Sequence, residues 1–481
     1  MNYRSALFSV VTLVGSCFVF AQRTLSIEEC IALAKQNNTS VKLAREIAFT
    51  KEEVNKLTRK NNLPKVDLIA GYNHLGDNIE VNLQQVRGSI IEGTATQSVN
   101  AANQVYQEWT GNPLSATVQN AIYQTSKDII GAVYPNYNPL VAKQDYFLAG
   151  LFVRQPIYLG GKLKAAQELA QQQSETSKVG IENAEDLVSY NLILQYIQVQ
   201  YLNSMIDKQV QIVEAHKKNQ SYAANLLKSE IIPPYQKKYA DAALIQAETT
   251  LNTLNLEKQN ALLTIKQLSG MDLNENIDFA DRLPENINYV NKSVSSDTNN
   301  TDLRILNSKK EEANIALKAA KAGNYPNIFA IGNLQFLRKD LPIITPPWLV
   351  GIELQWTLFD GFENRNKVKI AESLVKESEM LIQQKTEAVN LATRISKNKM
   401  EAFADQSKSL DNARQESYTT TEMVRKRMEN SLSSVKDVND ALKFQYEMEK
   451  AYYTSVVGYQ TAVATYYYLV GTAEKSLNVI K

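Results

Sequence analysis

The chain has 481 residues, of which 44% are hydrophobic and 21% charged. This balance excludes both a disordered chain and a bundle of membrane-spanning helices, and the length suffices for two or three ordinary domains. The 52 basic and 51 acidic residues leave a net charge of +1, which argues against a general nucleic-acid-binding surface.

Residues 1–21 are predicted to form a secretory signal peptide. A basic residue precedes an apolar run over residues 6–20, and Ala21 ends a stretch suited to cleavage. Cys17 raises the alternative of a lipoprotein, although its apolar neighbours would make an awkward start to the mature chain. After cleavage at Ala21, Cys30 is the only remaining thiol, so no intrachain disulfide is expected. No later apolar run predicts a membrane helix.

The sequence repeats itself in two halves. The segment that begins at Asn37 aligns without a gap on the segment that begins at Asn299. Further along the chain, Gly160 aligns on Gly361, which is a smaller offset than the first. The first half therefore carries an insertion, and it lies between positions 71 and 150. Each half is predicted to run helix, strand, loop, strand, long helix, tip and second helix.

Each half contains one exceptionally long helix followed by a second helix. Residues 162–227 and 364–428 show apolar residues every three or four positions, with no proline and with Gly180 as the single glycine. At about 1.5 Å per residue, such a helix is roughly 100 Å long. The second helices are predicted over residues 233–268 and 434–469. By themselves these helices would equally fit a soluble coiled-coil scaffold.

Strands precede both long helices. Over residues 348–358, tryptophan and aliphatic side chains alternate with glycine and polar ones, and about 9–11 residues are what a tilted strand needs to cross a bilayer. Residues 147–157 repeat the pattern with Gln155 as an exception, and less regular strands are predicted over residues 66–72 and 328–336. A half-buried sheet in a soluble protein remains the alternative for any one of these strands.

Four strands cannot span a membrane alone, because lipid offers no hydrogen-bond partners to the open edges of the sheet. Four such strands in repeated hairpins on an exported chain favour a membrane location, and the chain must then assemble with further copies. Two copies would give eight strands with a filled interior, and three would give twelve strands with room for a lumen. The polar face of the sheet would then line that lumen, with these residues: Arg154, Glu353, Gln355 and Thr357.

Several features spread over the mature chain point to one known family. They are the opening LSIEECIALAKQNN from Leu25, the stretch LPKVDLIAGY before the first strand, the two turns from strand through glycine to helix, and the internal duplication. With these features the chain resembles the TolC-like outer-membrane efflux factors of Gram-negative bacteria. The resemblance implies a mixed, mainly α fold. Long coiled helices would form a periplasmic α-barrel, and four strands per chain would contribute to a trimeric 12-stranded outer-membrane β-barrel.

The resemblance implies a homotrimer that acts as a passive exit duct of a tripartite efflux or type I secretion system. Such a trimer would dock onto a periplasmic adaptor (a membrane fusion protein) and an inner-membrane RND or ABC transporter, and would carry small molecules or polypeptides. A self-contained porin for uptake is the alternative, but it would have more strands and short periplasmic turns. No cofactor is implied. The only histidines, His74 and His216, lie in no metal-ligand or catalytic spacing, so the chain is not expected to be an enzyme.

The resemblance also assigns roles to particular residues. Gly160, Gly161 and Gly361 are expected to let the backbone turn from strand to helix. Asp437 and Asp440, in the stretch VKDVNDA, match the tip positions at which family members carry rings of aspartates. They are therefore expected to form a periplasmic gate. Without the resemblance, two acids spaced this way would be an ordinary solvated helix face.

The two tips that join each long helix to the next are possible contacts for the adaptor, although either would equally serve as a simple turn. In the second tip Ser431 stands where the family usually has a glycine, so Asn430 is expected to supply the left-handed turn. Ser433 stands where some members have a gating arginine. The tip residues are Ser229, Glu230, Ile231 and Ile232 in the first tip, and Asn430, Ser431, Leu432 and Ser433 in the second.

The additional residues of the first half lie in a long outer loop, residues 73–145. Helical patterns within the loop predict a cap at the outer mouth, with a disordered or surface-recognition loop as the alternative. The predicted segments are the signal peptide (1–21), the first repeat (22–270), a connector or equatorial region (271–298), the second repeat (299–471) and a C-terminal tail (472–481).

Overall fold

The structure is a computed structural model that describes residues 23–74, 84–134, 145–285, 287, 299–339 and 346–480. The predicted signal peptide, including Cys17, lies outside these residues. The elements in chain order are β1 (Arg23–Thr24), α1 (Ile27–Asn37), α2 (Thr39–Arg59), β2 (Lys65–His74), α3 (Gln84–Thr110), α4 (Ala116–Val133), β3 (Asp145–Leu159), α5 (Lys162–Lys228), α6 (Pro234–Ser269), β4 (Ile277–Asp278), α7 (Thr301–Lys321), β5 (Asn327–Lys339), β6 (Trp348–Gln355), α8 (Glu363–Glu429), α9 (Val435–Leu469) and α10 (Leu477–Ile480).

The two halves are built from equivalent elements. Helices α2 and α7 are each 21 residues long, and their first residues, Thr39 and Thr301, align in the sequence repeat. Helices α5 and α8 are each 67 residues long, and their first residues, Lys162 and Glu363, also align. The internal duplication is therefore confirmed. The predicted bounds of the long helices agree with the structure to within one residue.

Equivalent asparagines fix the same junction in both halves. Asn38 caps α2 by accepting a hydrogen bond from Ser40 N, and its Nδ2 donates to Leu268 O at the end of α6 (2.8 Å). Asn300 caps α7 by accepting a hydrogen bond from Leu303 N, and its Nδ2 donates to Leu469 O at the end of α9 (2.9 Å). The start of a short helix is thereby tied to the end of a long helical pair in each half.

The described strands of the main sheet are antiparallel and lie in the order β2, β3, β5, β6. The strand predicted over residues 348–358 is shorter in the structure and ends at Gln355. Gln355 pairs with Asn327, the first residue of β5, so β5 offers no partner to the residues that follow β6. Trp356 instead donates its indole N–H to Asn324 O (3.1 Å). The prediction for residues 356–358 was therefore wrong, because the partner strand sets the end.

Below the sheet, the helices continue the order of the strands. α2 packs on α5, α5 on α7 and α7 on α8, while α6 and α9 pair with the lower parts of α5 and α8. Among the helices of the described residues, none has an 18-residue stretch apolar enough to cross a membrane. The main core lies midway along the helices, where α1, α5, α9 and the residues after β4 meet around Tyr196, Phe279 and Tyr452.

The outer loop folds back on the long helices. Its described part, residues 84–134, is a helical hairpin of α3 and α4, and α4 packs against α5, α7 and α8. The predicted cap beyond the sheet is therefore wrong for these residues. The end of α4 also packs on the sheet, because Ala132 shares an apolar cluster with Leu159 and Phe329. Residues 75–83 and 135–144 of the loop lie outside the described residues.

Asp186 of α5 is partly buried, and this burial disfavours the charged form of its carboxyl group at neutral pH. Burial, followed by the charge of Glu474, raises the pKa of its carboxyl from 3.8 to about 6. For a raised folded-state pKa, the associated stability is fully present below the unfolded value and is lost as pH rises through about 6.

We expect Asp186→Asn to raise the free energy of unfolding by about 1–2 kcal/mol at pH 8 and to change it little at pH 4. Chemical denaturation of the purified protein at both pH values measures this difference. Asp405→Asn, at an exposed position of α8, is the control and should change little at either pH. An equal gain at both pH values for Asp186→Asn would contradict the assignment.

Candidate functional site

The turns from strand to helix lie at the predicted glycines. Gly160, Gly161 and Gly361 have φ angles of +65°, +93° and +67°. Phe362 also has a positive φ, +67°, and directly precedes α8. The left-handed backbone of Phe362 was not predicted, although the sequence repeat aligns Phe362 with Gly161 and could have revealed it. Two residues thus join strand to helix in the first half, and both have left-handed backbone.

Gly160 is more constrained than its counterpart Gly361. A Cβ at Gly160 would lie 2.5 Å from Ala322 O, whereas a Cβ at Gly361 would have no neighbour within 4 Å. We expect Gly160→Ala to cost about 2 kcal/mol more stability than Gly361→Ala, because both strain a positive φ but only the first collides with the backbone. Thermal denaturation of the two variants measures the difference. Equal melting temperatures would contradict the close approach at Gly160.

One face of the sheet is polar and partly covered. Arg154 is only 4% exposed, and its Nη2 lies 3.4 Å from Oε1 of Glu353. Its guanidinium lies 3.7 Å from the ring centroid of Phe329, and Nη1 donates to Tyr134 O (2.9 Å). The structure thus brings together two of the four residues predicted to face a lumen.

The other two predicted residues lie at or beyond the end of β6. Gln355 is exposed at the end of β6, and Thr357 lies beyond the strand. The ladder places Arg154 opposite Ile331 and Ile331 opposite Gly351, so these positions share the face of Glu353. The face that holds Arg154 and Glu353 is therefore continuous across β3, β5 and β6.

The opposite face of the sheet is apolar and exposed. Val66 is paired with Val153, Val153 with Gly332, and Gly332 with Val350, so these residues share that face. Val350 and Ile352 are each 75% exposed. The exposed apolar side chains on this face include Val66, Leu68, Leu334, Trp348, Val350, Ile352 and Leu354. A contiguous patch of this kind on a soluble monomer marks a surface that contacts lipid or another protein.

The two tips have the same backbone structure. Glu230 and Ser431, which align in the sequence repeat, have φ angles of +60° and +59°. Asn430 has φ −94°, so the expectation that Asn430 supplies the left-handed turn was wrong. In both tips the left-handed residue and the next one donate to carbonyls of the last helical turn, which places the turn one residue after the helix cap. These bonds are Glu230 N to Leu227 O, Ile231 N to Leu226 O, Ser431 N to Met428 O and Leu432 N to Arg427 O.

The remaining predicted tip residues flank these turns. Ser229 caps the end of α5 and is exposed, Ile232 is half-buried against the start of α6, and Ser433 accepts a hydrogen bond from Arg427 Nε (3.3 Å). Ile231 and Leu432 occupy equivalent positions and are 62% and 65% exposed. Each tip therefore presents one large apolar side chain to its surroundings.

Asp437 and Asp440 are both exposed near the start of α9, but they have different local partners. Asp437 Oδ2 accepts from Ser434 N (2.7 Å), and Ser434 Oγ accepts from Asp437 N (3.1 Å), which forms a capping box. The hydrogen bond from the Ser434 backbone lowers the pKa of Asp437, so its carboxylate stays charged. Asp440 Oδ1 accepts a hydrogen bond from Tyr239 Oη of α6 (3.1 Å). Tyr239 aligns with Asp440 in the repeat, but its contact with that residue was not predicted.

A buried polar cluster lies behind the two aspartates. His216 Nδ1 lies 3.1 Å from Asn439 Oδ1, and Asn219 Nδ2 donates to the same oxygen (2.7 Å). Burial lowers the pKa of His216, so its ring is neutral at neutral pH. This histidine therefore links α5 to α9. Within the described residues, no group of three or more potential metal ligands is present.

The fold is shared with solved structures of bacterial outer-membrane proteins. The CmeC outer membrane channel of Campylobacter jejuni is 16% identical, with a TM-score of 0.71 over 98% of this chain and 94% of that chain. The outer membrane protein VceC of Vibrio cholerae is 14% identical, with a TM-score of 0.68 over 93% of this chain and 96% of that chain. The MtrE outer membrane channel of Neisseria gonorrhoeae, in its open state, is 14% identical, with a TM-score of 0.67 over 93% and 89%.

No protein-family model matches the sequence, and no curated protein matches it by sequence. The similarity therefore rests on structure, and it extends over nearly the whole of each chain. It agrees with the predicted combination of long helices and a few strands in each chain. The chain has the TolC-like fold of outer-membrane channel proteins.

Proposed function

We propose that three copies of this chain close into a passive exit duct in the outer membrane of a Gram-negative bacterium. The observation that carries this proposal is the sheet itself. Its edges, β2 and β6, are unpaired within the described chain, and one of its faces is apolar and exposed. Pairing β6 of one copy with β2 of the next removes the open edges, which lipid cannot satisfy. The face of Arg154 and Glu353 then turns inward.

Three copies fit better than two, because eight strands would enclose a filled interior whereas twelve leave room for a lumen. Each chain places α2, α5, α7 and α8 side by side below its four strands. Twelve strands would thus continue into twelve helices, with α5 and α8 reaching about 100 Å into the periplasm. The two solved structures described by name as channels share this chain architecture.

The far end of this duct is the proposed docking site for partners. Ile231 and Leu432 are exposed apolar side chains on turns of identical backbone form, and they suit a periplasmic adaptor protein that binds both tips. An inner-membrane transporter of the RND or ABC type would supply the energy, since the proposed duct is passive. The cargo would be small molecules or polypeptides delivered through that adaptor.

A charge placed on each face of the sheet tests the assembly. Ile352→Lys puts a cation on the outward face, where lysine at mid-membrane costs about 2–4 kcal/mol per copy, whereas Gln355→Lys puts it at the polar face. We expect the purified Gln355→Lys protein to be a detergent-dependent trimer that forms pores in planar bilayers, and Ile352→Lys to fail to assemble. A native protein that is monomeric and stable without detergent would overturn the proposal.

A further inference from the structure

The hairpin of α3 and α4 is an ordered element with its own internal contacts. Arg87 of α3 donates to the carbonyl of Gly131 in α4 (2.5 Å), and Lys127 lies 3.8 Å from Glu92. At the far end, Asn103 Oδ1 accepts from Leu114 N (2.8 Å), which closes the turn between the helices. Residues 84–134 therefore form one folded unit.

This hairpin lies on the polar face of the sheet. The carbonyl of Tyr134 accepts from Arg154, and Ala132 shares an apolar cluster with Phe329 and Leu159. Lys65 Nζ lies 4.8 Å from the ring centroid of Tyr134, and Lys65 is the ladder partner of Arg154. All of these contacts are on the face opposite to the exposed apolar one. In a closed barrel this is the inner face.

The hairpin also reaches down along the helices. Asp128 pairs with Lys367, which is near the start of α8 (3.1 Å). Trp109, at the other end of the hairpin, lies against Gly180, where an added Cβ would collide with its indole ring. Gly180 lies about 27 Å along α5 from its first residue, Lys162. A glycine inside a helix costs about 1 kcal/mol relative to alanine, and the indole explains its presence here.

The dimensions of the proposed duct show how much of its tunnel the hairpins would fill. Twelve helices side by side, each about 10 Å across, enclose a tunnel about 28 Å wide. Three hairpins contribute six more helices, and a ring of six such helices is about 30 Å across with a central opening of about 10 Å. The inner hairpins therefore fill the tunnel wall to wall.

We infer that residues 84–134 form an internal plug that limits the cargo of the duct to small solutes of about 10 Å or less. This inference rests on the proposed function, since only a closed trimer has an inside. Folded or looped polypeptides would require the plug to be displaced. The anchors that hold the plug are the Asp128–Lys367 ion pair, the Arg154–Tyr134 hydrogen bond and the contact of Trp109 with Gly180.

The position of the hairpin and its effect on the pore are tested by separate experiments. A photo-crosslinking amino acid at position 109 of the full-length chain should link to α5 near Gly180 in the purified trimer. This experiment does not depend on the deletion variant. Replacing residues 84–134 by a short Gly-Ser linker should raise single-channel conductance at least twofold. It should also admit polyethylene glycols that the native pore excludes. In this comparison the full-length protein and the deletion variant both carry Asp437→Ala and Asp440→Ala, so that the tips do not limit the current.

The outcomes separate the two proposals. A full-length protein that forms no trimer and no pore contradicts the proposed function. A trimeric pore in which position 109 links to nothing in α5 overturns the plug alone. Crosslinks to α5 combined with unchanged conductance and polymer exclusion in the deletion variant overturn the narrowing of the lumen. Crosslinks near Gly180 together with a wider pore in the deletion variant support the plug. If the deletion variant does not assemble, the plug is supported by these crosslinks together with exclusion, by the full-length pore, of polymers wider than about 10 Å.

Discussion

Replacing both Asp437 and Asp440 by alanine is expected to raise single-channel conductance severalfold in planar bilayers and to weaken block by multivalent cations. Both carboxylates are exposed at the start of α9, and three copies of each near one axis would create a strong negative potential. That potential binds cations and so holds the blocking ion. Unchanged conductance and unchanged block in the double variant would reject these aspartates as the constriction.

Asp437 and Asp440 make different hydrogen bonds, so the effect of their charge can be measured separately from the effect of the bond that holds α6 to α9. Tyr239→Phe removes the hydrogen bond to Asp440 that ties α6 to α9 but leaves all carboxylates in place. We expect this variant to raise conductance while keeping the cation block. Its matched control is Tyr235→Phe, an exposed tyrosine one turn earlier in α6, which should change neither property.

The charge of Asp437 should survive acidification. Its pKa is lowered by the Ser434 backbone hydrogen bond, so stability from the capping box is present above the unfolded pKa and is lost as pH falls through the lower folded value. Cation block should therefore persist at pH 5 in the native protein. A block that disappears between pH 7 and pH 5 would indicate that another group carries it.

Local sequence patterns were enough to predict the helices and the duplication, because helix bounds depend on nearby residues. The absence of proline, the apolar residues at every third or fourth position and the sequence repeat place α5 and α8 to within one residue. The end of β6 could not be predicted in this way, because it depends on where β5 begins. Likewise the left-handed residue of the second tip is set by hydrogen bonds back to the helix, which favour Ser431 over Asn430.

Contacts between distant segments were the least predictable part of the site. Nothing in the pattern of residues 84–134 shows which face of the sheet their hairpin covers, because that depends on packing across a long loop. Gly180 was visible as the only glycine of its helix, but its partner Trp109 was not. The link from Tyr239 to Asp440 also needed the structure, although the sequence repeat aligns the two positions.

The largest loss of stability is expected from Arg414→Met in α8, at about 3–5 kcal/mol. Glu449 of α9 is 1% exposed, and its carboxylate lies 3.7 Å from Arg414 Nη1 and 4.0 Å from Lys208 Nζ. The Arg414 guanidinium also lies 4.3 Å from the ring centroid of Tyr452. Removing the arginine leaves a buried carboxylate with one distant cation, and such an uncompensated charge is costly. Chemical denaturation in detergent measures the loss.

Arg425→Met, in the same helix, is the matched control. Arg425 pairs with Glu422 (2.7 Å) and Glu429 (3.0 Å), but all three side chains are 44–53% exposed, so the loss should stay below about 1 kcal/mol. Adding Glu449→Gln to Arg414→Met removes the buried stranded charge and should restore most of the lost stability, because Asp411, the other acid paired with Arg414 (2.6 Å), still accepts from Gln415 (3.0 Å). Similar losses for both arginines, or no recovery in the double variant, would show that the packing of the Arg414 side chain on Tyr452, and not its charge, holds α8 against α9.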